Sequence, residues 1–581
     1  MPLDWPMLSI LIFLPLLACL VVAVLRSPGQ IRLFTLGIGL MEILCALPLV
    51  LYFNPAQKEF QFQEIHAWII KWQINYHLGV DGISLLLILL TVFLLPLCVL
   101  CSWSYIRERV AEFHICLLLM TSACVGVFCA LDFVLFYIFW EAMLIPMFLL
   151  IAVWGGPQRK YAAMKFFIYT LAGSTLLLIA IIAFYQDCGT FSIIKLLNAE
   201  HSFNFQLWTF LAMAIAFAIK VPLFPFHTWL PAAHVQAPAA GSVLLASVLL
   251  KMGSYGFIRF CLGLTPDASI YFAPLMIAVS IVSIIYGGLV ALGQNDIKKL
   301  IAYSSIAHMG FVTLGIFVFN QHGLQGAVMQ ILNHGITTGA LFMMIGIVYE
   351  RSHSRQIRDN LGLGKYLPAY MFFFGLFSLS SLAFPGTNSF VGEALVLIGA
   401  LENNMLVGLL AVPGALLAAA YMLRLLQKMA WGKPSAAGSW KDLTLREWFC
   451  LAPCAFLVFY LGLCPSGTLK TMNRSVQGII TSIDGQHIRN GLTAPANKKS
   501  DAAKSVQTMQ MKKPALSAFD PYQPLKPTGT KTELNSRTYV TIHPADKNSP
   551  DFLHALAANR RLEDSAHKNL LHKYELSRNS E

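Results

Sequence analysis

The chain has 581 residues, of which 57% are hydrophobic and only 12% charged, with a mean hydropathy of +0.64 and a net charge of +12. That balance excludes an ordinary soluble domain and indicates a polytopic membrane protein. It does not point to nucleic acid: residues 465–581 hold 17 lysines and arginines against 10 acids, so they supply +7 of the +12, and the rest is loop charge.

Apolar runs long enough to cross a bilayer core of about 30 Å recur about fourteen times before Cys464. They lie near 7–25, 33–53, 80–102, 113–131, 133–154, 162–185, 207–230, 240–262, 270–292, 300–319, 323–349, 369–401, 405–427 and 448–464. The expected fold is therefore an all-α polytopic membrane protein. Met1–Pro6 carries Asp4 and no basic residue, unlike the start of a secretory signal, so the first run is read as a span. Lysine and arginine gather in alternate loops: Arg26 and Arg32; Arg107 and Arg109; Arg159 and Lys160; Lys298 and Lys299; Arg351, Arg355, Arg358 and Lys365; Lys433, Lys441 and Arg446. The intervening loops hold only Lys58, Lys71, Lys195 and Arg259, so the positive-inside rule places both termini outside. All twelve cysteines fall at or before Cys464, and only Cys98 and Cys101 have CxxC spacing; inside an apolar run that spacing reads as packing, with no disulfide or metal cluster expected.

The second span carries Glu42, for which a neighbouring partner, simple protonation and a proton path stand equally open. Asp81 opens the third span and reads equally as a helix cap or a functional acid. The fifth holds Glu141 near its middle, with Pro146 beyond it. In the sixth, Lys165 lies near the basic loop, close enough to snorkel. The seventh, 207–230, holds Lys220 midway, where a lysine costs roughly 2.5–3.5 kcal/mol unless it faces a partner or water. Pro222 and Pro225 follow at once; they remove backbone donors, so this span is expected to break at its lysine, beside hydrated space. A Glu141–Lys220 pair would hold both groups charged until it opened. His227 and His234, seven apart with no acid or cysteine between them, have poor metal-ligand spacing and suit loop or gate roles.

The eighth span brings Lys251, and the tenth and eleventh bury His308 and His334, whose side chains titrate near working pH. The twelfth is broken by Pro385 and Gly386 and carries Glu393 on its far half. Interrupted spans at the seventh and twelfth places, each with one buried charge, are the sequence sign of two inverted five-helix repeats with an ion site at mid-depth. The expected division is N-terminal spans over 1–112, a first repeat over 113–262 and a second over 263–430. A last span with its connecting loop over 431–464 and a polar, basic, mostly disordered tail over 465–581 complete it, with a helix possible at 550–578. No nucleotide loop or cysteine cluster stands out; Gly362, Gly364 and Lys365 come nearest to a phosphate loop, and their spacing fails.

From about Leu78 to Leu463 the motifs GVDGISL, FWEAMLIPM, RKYAAMKFF, HTWLPAAHVQAPAAGSVLLASVLLKMG, IAYSSIAHMGF, NHGITTGALF and FPGTNSFVGE closely resemble the M-type antiporter-like membrane-arm chains of bacterial NADH–quinone oxidoreductase, respiratory complex I. The resemblance implies fourteen helices with two inverted repeats in the bacterial inner membrane. It implies a proton relay of Glu141, Lys220, Lys251, His308, His334 and Glu393; sister L and N chains usually have lysine at the last place. It further implies no cofactor on this chain, with NADH, FMN, iron–sulfur clusters and quinone on partner subunits and the L and N chains as neighbours. Ala232 stands where many members have aspartate, and the tail from 465 runs past where the family usually stops. The alternatives are a chain of an Mrp-type cation/proton antiporter and, less consistent with the mixed acid–base series, a passive channel.

Overall fold

The structure, a computed structural model, describes residues 5–432 and 440–489, without the side chains of 484–489. The described residues belong to one compact unit, Met1–Asn497; the proposed helix at 550–578 lies outside the described residues.

In chain order the helices are α1 (Met7–Val24), α2 (Pro28–Tyr52), α3 (Gly82–Ser102), α4 (Val110–Cys129), α5 (Phe133–Trp154), α6 (Arg159–Cys188), α7 (Ile193–Leu197), α8 (Phe203–Lys220), α9 (Trp229–Gln236) and α10 (Ala239–Leu264). There follow α11 (Pro266–Leu292), α12 (Ile297–Phe317), α13 (Gln321–Ser352), α14 (Pro368–Ser381), α15 (Asn388–Asn403), α16 (Met405–Trp431), α17 (Leu445–Leu463) and α18 (Ser466–Arg489). Thirteen of these are long and apolar enough to cross a membrane. The twelfth span expected over 369–401 is divided, at the break expected at Pro385 and Gly386, into α14, of 14 residues, and α15, of 16. At about 1.5 Å per residue neither half alone spans the ~30 Å core.

Burial sorts the helices. The apolar windows of α10, α12 and α13 are 94–100% buried, whereas those of α1, α2, α6, α11, α16 and α17 are 33–39% buried and turn leucines, isoleucines and phenylalanines outward. An apolar outer surface of that extent suits lipid, and the inner three helices can carry polar groups because protein surrounds them.

One antiparallel hairpin, β1 (Gln61–Ile69) and β2 (Ile74–Val80), interrupts the helices where the sequence had suggested only a loop. It is tied to the start of α1: Glu64 Oε1 accepts from Leu8 N at 2.7 Å, its carboxylate also takes the Ser9 hydroxyl, and Tyr76 Oη lies 2.8 Å from Ser9 Oγ. At the opposite, basic-loop end Arg351 forms a fork on Glu447 at 3.0 and 2.9 Å, and Asp442 caps α14 through the N–H groups of Ala369 and Tyr370. These bonds join α13, α14 and α17.

The expected disordered tail from 465 needs correction at its start. Residues Ser466–Arg489 form α18, whose Met472, Val476 and Ile483 are buried and whose Asn473 accepts from Gln321 and Gln325 of α13. Ser475 Oγ accepts from Gly82 N at 3.1 Å, so the helix lies across the hairpin end of α3 and α13. Its apolar side chains are spaced for one face, and a low mean hydropathy hides such a helix from a search for spans.

Candidate functional site

Helix α8 ends at Lys220, and the chain stays irregular until Phe226 before α9 begins. Pro222 and Pro225 cannot donate, yet little backbone is orphaned. Leu223 N donates to Ala218 O at 2.8 Å, Phe224 N to Ser283 Oγ at 3.0 Å, and Trp229 Nε1 to Ile219 O at 2.8 Å. The lysine thus stands at a helix C-terminus, where the macrodipole favours a cation. It is almost fully buried; its Nζ lies 4.8 Å from the Trp140 ring centroid and 3.6 Å from Met143 Sδ.

The expected Glu141–Lys220 ion pair is absent within 4.0 Å among the described residues. Glu141 is half-buried beside Tyr137 and close enough to act on the Lys220 ammonium through its charge, while the aromatic face of Trp140 makes the direct contact. Adjacent residues on a helix point about 100° apart, and Trp140 and Glu141 divide accordingly.

Helix α10 changes winding twice, with π turns over Leu245–Leu249 and Phe257–Cys261 on either side of Lys251. A π turn leaves carbonyls without their usual partner, and such turns gather at functional sites. Here Lys251 Nζ donates to Ala246 O at 2.5 Å and lies 2.5 Å from His334 Nδ1, with no exposed surface. The His334 and His308 rings are 5.7 Å apart. His308 Nδ1 is 2.8 Å from Glu393 Oε1, while its Nε2 lies 3.4 Å from both Ser381 Oγ and Tyr421 Oη.

The second break follows the same logic. Between α14 and α15 the chain turns through Ala383 (φ +58°) and Gly386 (φ +90°), and Asn388 pins the turn: its Oδ1 accepts from Ser380 at 2.6 Å and its carbonyl from Asn333 Nδ2 at 2.7 Å. Gln330 Nε2 donates to Glu393 Oε1 at 2.9 Å. Gln330, Asn333, His334 and Thr337 all lie buried on α13. Their spacing of i, i+3, i+4 and i+7 is one helix face, a polar stripe in an apolar run whose signal in the sequence is the 3.6-residue recurrence of its amides, hydroxyl and imidazole.

Of the six relay residues, the structure therefore brings Lys251, His334, His308 and Glu393 into one contiguous series. Lys220 lies beside this series, packed through its Cβ against Gly253 of α10, and Glu141 lies off it. Among the described residues, His334 Nε2 and Glu393 Oε2 are buried with no hydrogen-bond partner. His234 is buried, stacks on Phe342 at 4.5 Å and leaves both ring nitrogens unpartnered; His227 is buried beside Phe224 and Tyr286. Glu42 is buried with neither carboxylate oxygen bonded.

Asp81 and Arg259 were missed as a pair because Arg259 reads as loop charge in the sequence. In the structure Arg259 is inside α10, and its Nη2 lies 2.8 Å from Asp81 Oδ2. The Ser84 N–H donates to Asp81 Oδ1 at 2.9 Å, so the buried carboxylate is met by both the guanidinium and a backbone donor. Among the described residues one trio of metal-ligating types, Asp187, Cys188 and His201, comes within 4.8 Å, remote from the series at the end of α6.

Fold and site together define a polytopic helical membrane protein with two broken spans and a buried acid–base column suited to moving protons. Residues 130–418 match the family model described as NADH:quinone oxidoreductase/Mrp antiporter, TM. NADH-quinone oxidoreductase subunit M of Rhodobacter capsulatus is 44% identical over 499 residues, covering 82% of this chain and 96% of the relative. NADH-ubiquinone oxidoreductase chain 4 of Chondrus crispus is 41% identical, covering 81% and 96%. Respiratory complex I from Thermus thermophilus contains a chain that superposes with a TM-score of 0.76 at 27% identity, covering 82% and 99%. A chain of the Mrp complex from a Dietzia species shares the fold at TM-score 0.72 and 20% identity, with coverage of 82% and 99%. The chain belongs to the family of NADH-quinone oxidoreductase M subunits, the proton-pumping membrane-arm subunits of complex I.

Proposed function

We propose that protons cross this subunit along Lys220, Lys251, His334, His308 and Glu393, driven by charge changes that reach Glu141 when partner subunits reduce quinone. The observation that carries this reading is the line of neighbours from Lys251 to Glu393: Lys251 meets His334 and His308 meets Glu393 at hydrogen-bond distance, and the two imidazole rings lie 5.7 Å apart between them. Lysine, imidazole and carboxyl differ in intrinsic proton affinity, and their buried positions make each charge depend on its neighbour. A proton on Lys251 thus has a receiver at His334, which in turn faces His308, and Glu393 ends the series.

Two steps lack a direct hydrogen bond among the described residues: the one between the imidazoles of His334 and His308, and the one between Lys220 and Lys251, which share packing. Water is the natural bridge across the latter step. Lys220 lets go of its proton when Glu141 loses its charge or moves away, since desolvation then favours the neutral amine.

The same proposal takes NADH, FMN, iron–sulfur clusters and quinone to reside on partner subunits, with the L- and N-type chains as neighbours in a bacterial inner membrane. Two inverted five-helix repeats, 113–262 and 263–430, are supported by a lysine or glutamate at each broken span. The gathering of Arg107, Arg351, Arg355 and Arg446 with Lys298 at one end supports an inner face there and both termini outside.

The test is Lys220→Ala in inverted membrane vesicles: proton pumping driven by NADH should fall roughly tenfold, about 1.4 kcal/mol in barrier, with the complex still assembled. Normal pumping by an assembled variant would sink the scheme. An Mrp-type antiporter chain shares the fold, and copurification separates the two, because this subunit should travel with iron–sulfur, quinone-reducing partners.

A further inference from the structure

The buried polar groups do not stop at Lys251; along α10 they continue toward the hairpin end. Ser254, one turn on, has a buried hydroxyl with no hydrogen-bond partner. Tyr255 Oη lies 3.1 Å from Ser84 Oγ and donates to Phe128 O at 3.3 Å. One turn further, Arg259 Nε donates to that same Tyr255 oxygen at 3.3 Å and Nη2 to Ser84 Oγ at 3.5 Å. Positions 251, 254, 255 and 259 recur at the spacing of one helix face, and Arg259 stands about 12 Å beyond Lys251 at ~1.5 Å per residue. Such a line would offer a proton on Lys251 a second way to the surface that bypasses His334, His308 and Glu393.

A guanidinium ends that line. Arginine stays charged in proteins and has five donors but no acceptor, so it cannot take a proton from one side and release it on the other. A fixed cation at a constriction also repels protons and other cations. Here the cation is held in place: Asp81 Oδ2 lies 2.8 Å from Nη2, with both side chains 6% exposed, and the Phe60 ring lies 4.9 Å from the guanidinium carbon. Asp81 is itself anchored as the cap of α3 by Ser84 N at 2.9 Å. A buried arginine is costly without such a partner, so the pair keeps the charge where the line would otherwise open.

We propose that Arg259 is a positioning residue for proton transfer: an electrostatic seal, held by Asp81, that closes the hairpin end of the column so that protons on Lys251 leave only through His334. The proposal rests on the column reading given above. A merely structural ion pair would tie α3 to α10 and make either partner's loss equivalent; a seal makes them opposite, because Asp81→Asn keeps the cation and Arg259→Gln removes it.

The experiment uses the native complex in proteoliposomes, without NADH, under an imposed pH gradient with the membrane potential clamped. Arg259→Gln should raise passive proton conductance several-fold, whereas Arg259→Lys and Asp81→Asn should stay at the wild-type level. Adding Lys251→Met to Arg259→Gln should abolish the leak. Should Arg259→Gln not assemble, the double variant Arg259→Met, Asp81→Asn removes the pair without stranding a charge and should leak likewise. Wild-type conductance in the variants lacking the cation, an equal leak in Asp81→Asn, or a leak that survives loss of Lys251 would each overturn the assignment. Because the leak is read without turnover, its absence is distinct from failure of the column, which would show as normal pumping in Lys251→Met.

Discussion

His334 faces both a lysine and a second histidine, with Nδ1 2.5 Å from Lys251 Nζ and its ring 5.7 Å from that of His308. Replacing it by alanine leaves a gap that only water could bridge, so His334→Ala should slow NADH-driven proton uptake by inverted vesicles roughly tenfold while the assembled complex persists on native gels. Asn388 has a different task. Its side chain receives Ser380, and its carbonyl receives Asn333. Asn388→Ala would leave Ser380 only its contact with Thr337 at 2.7 Å and free the turn, at a cost of about 0.5–1.5 kcal/mol, visible as a lower unfolding temperature of the detergent-solubilised complex. The charged and imidazole members of the site were legible in the sequence because a titratable group in an apolar run is conspicuous. Gln330 was legible only as part of the stripe with Asn333, His334 and Thr337, and Asn388 and Tyr421 were not, since lone amides and phenols are common enough in spans to carry no signal until a partner faces them.

At the scale of elements, the two breaks were legible from proline and glycine, because a missing N–H and a positive φ interrupt a helix wherever they occur. What closes each break was not: Ser283, Trp229 and Asn388 come from elsewhere in the chain or beyond the turn. The close approach of α8 to α10 depends on Gly253, where an added Cβ would come within 3.0 Å of Lys220 Cβ, Phe217 O and Val221 Cγ2. Gly253→Val should therefore push the Lys220 break away, with an overpacking cost of about 1–3 kcal/mol and reduced pumping, measured by thermal unfolding and vesicle acidification together. Helix α18 tests a second packing relation. Val476 is buried beneath it, so Val476→Asp should release the helix and make the Ser466–Arg489 segment sensitive to limited proteolysis, whereas Thr481→Asp on the exposed side should not.

At the scale of the whole molecule, the bundle places α10, α12 and α13, which carry Lys251, His308 and His334, innermost, and it separates a hairpin end from a basic-loop end. Sidedness can be checked directly. Cysteine placed at the exposed Gln158 should react with an impermeant maleimide only in inverted vesicles, and at the exposed Ala56 only in right-side-out cells; the reverse pattern would invert the assigned orientation. Membrane class, the approximate number of spans, their breaks and the titratable residues were determined by the sequence itself, because each follows from local properties: apolar length against bilayer thickness, lost backbone donors, and charge where lipid would reject it. The order of contact from Lys251 to Glu393, the turn of Lys220 toward Trp140 rather than Glu141, and the burial of Arg259 against Asp81 were decided only by tertiary structure. Those relations join residues up to 178 positions apart, Asp81 to Arg259 among the longest, and side-chain direction across packed helices is set by how the helices rotate against one another, which no local pattern encodes.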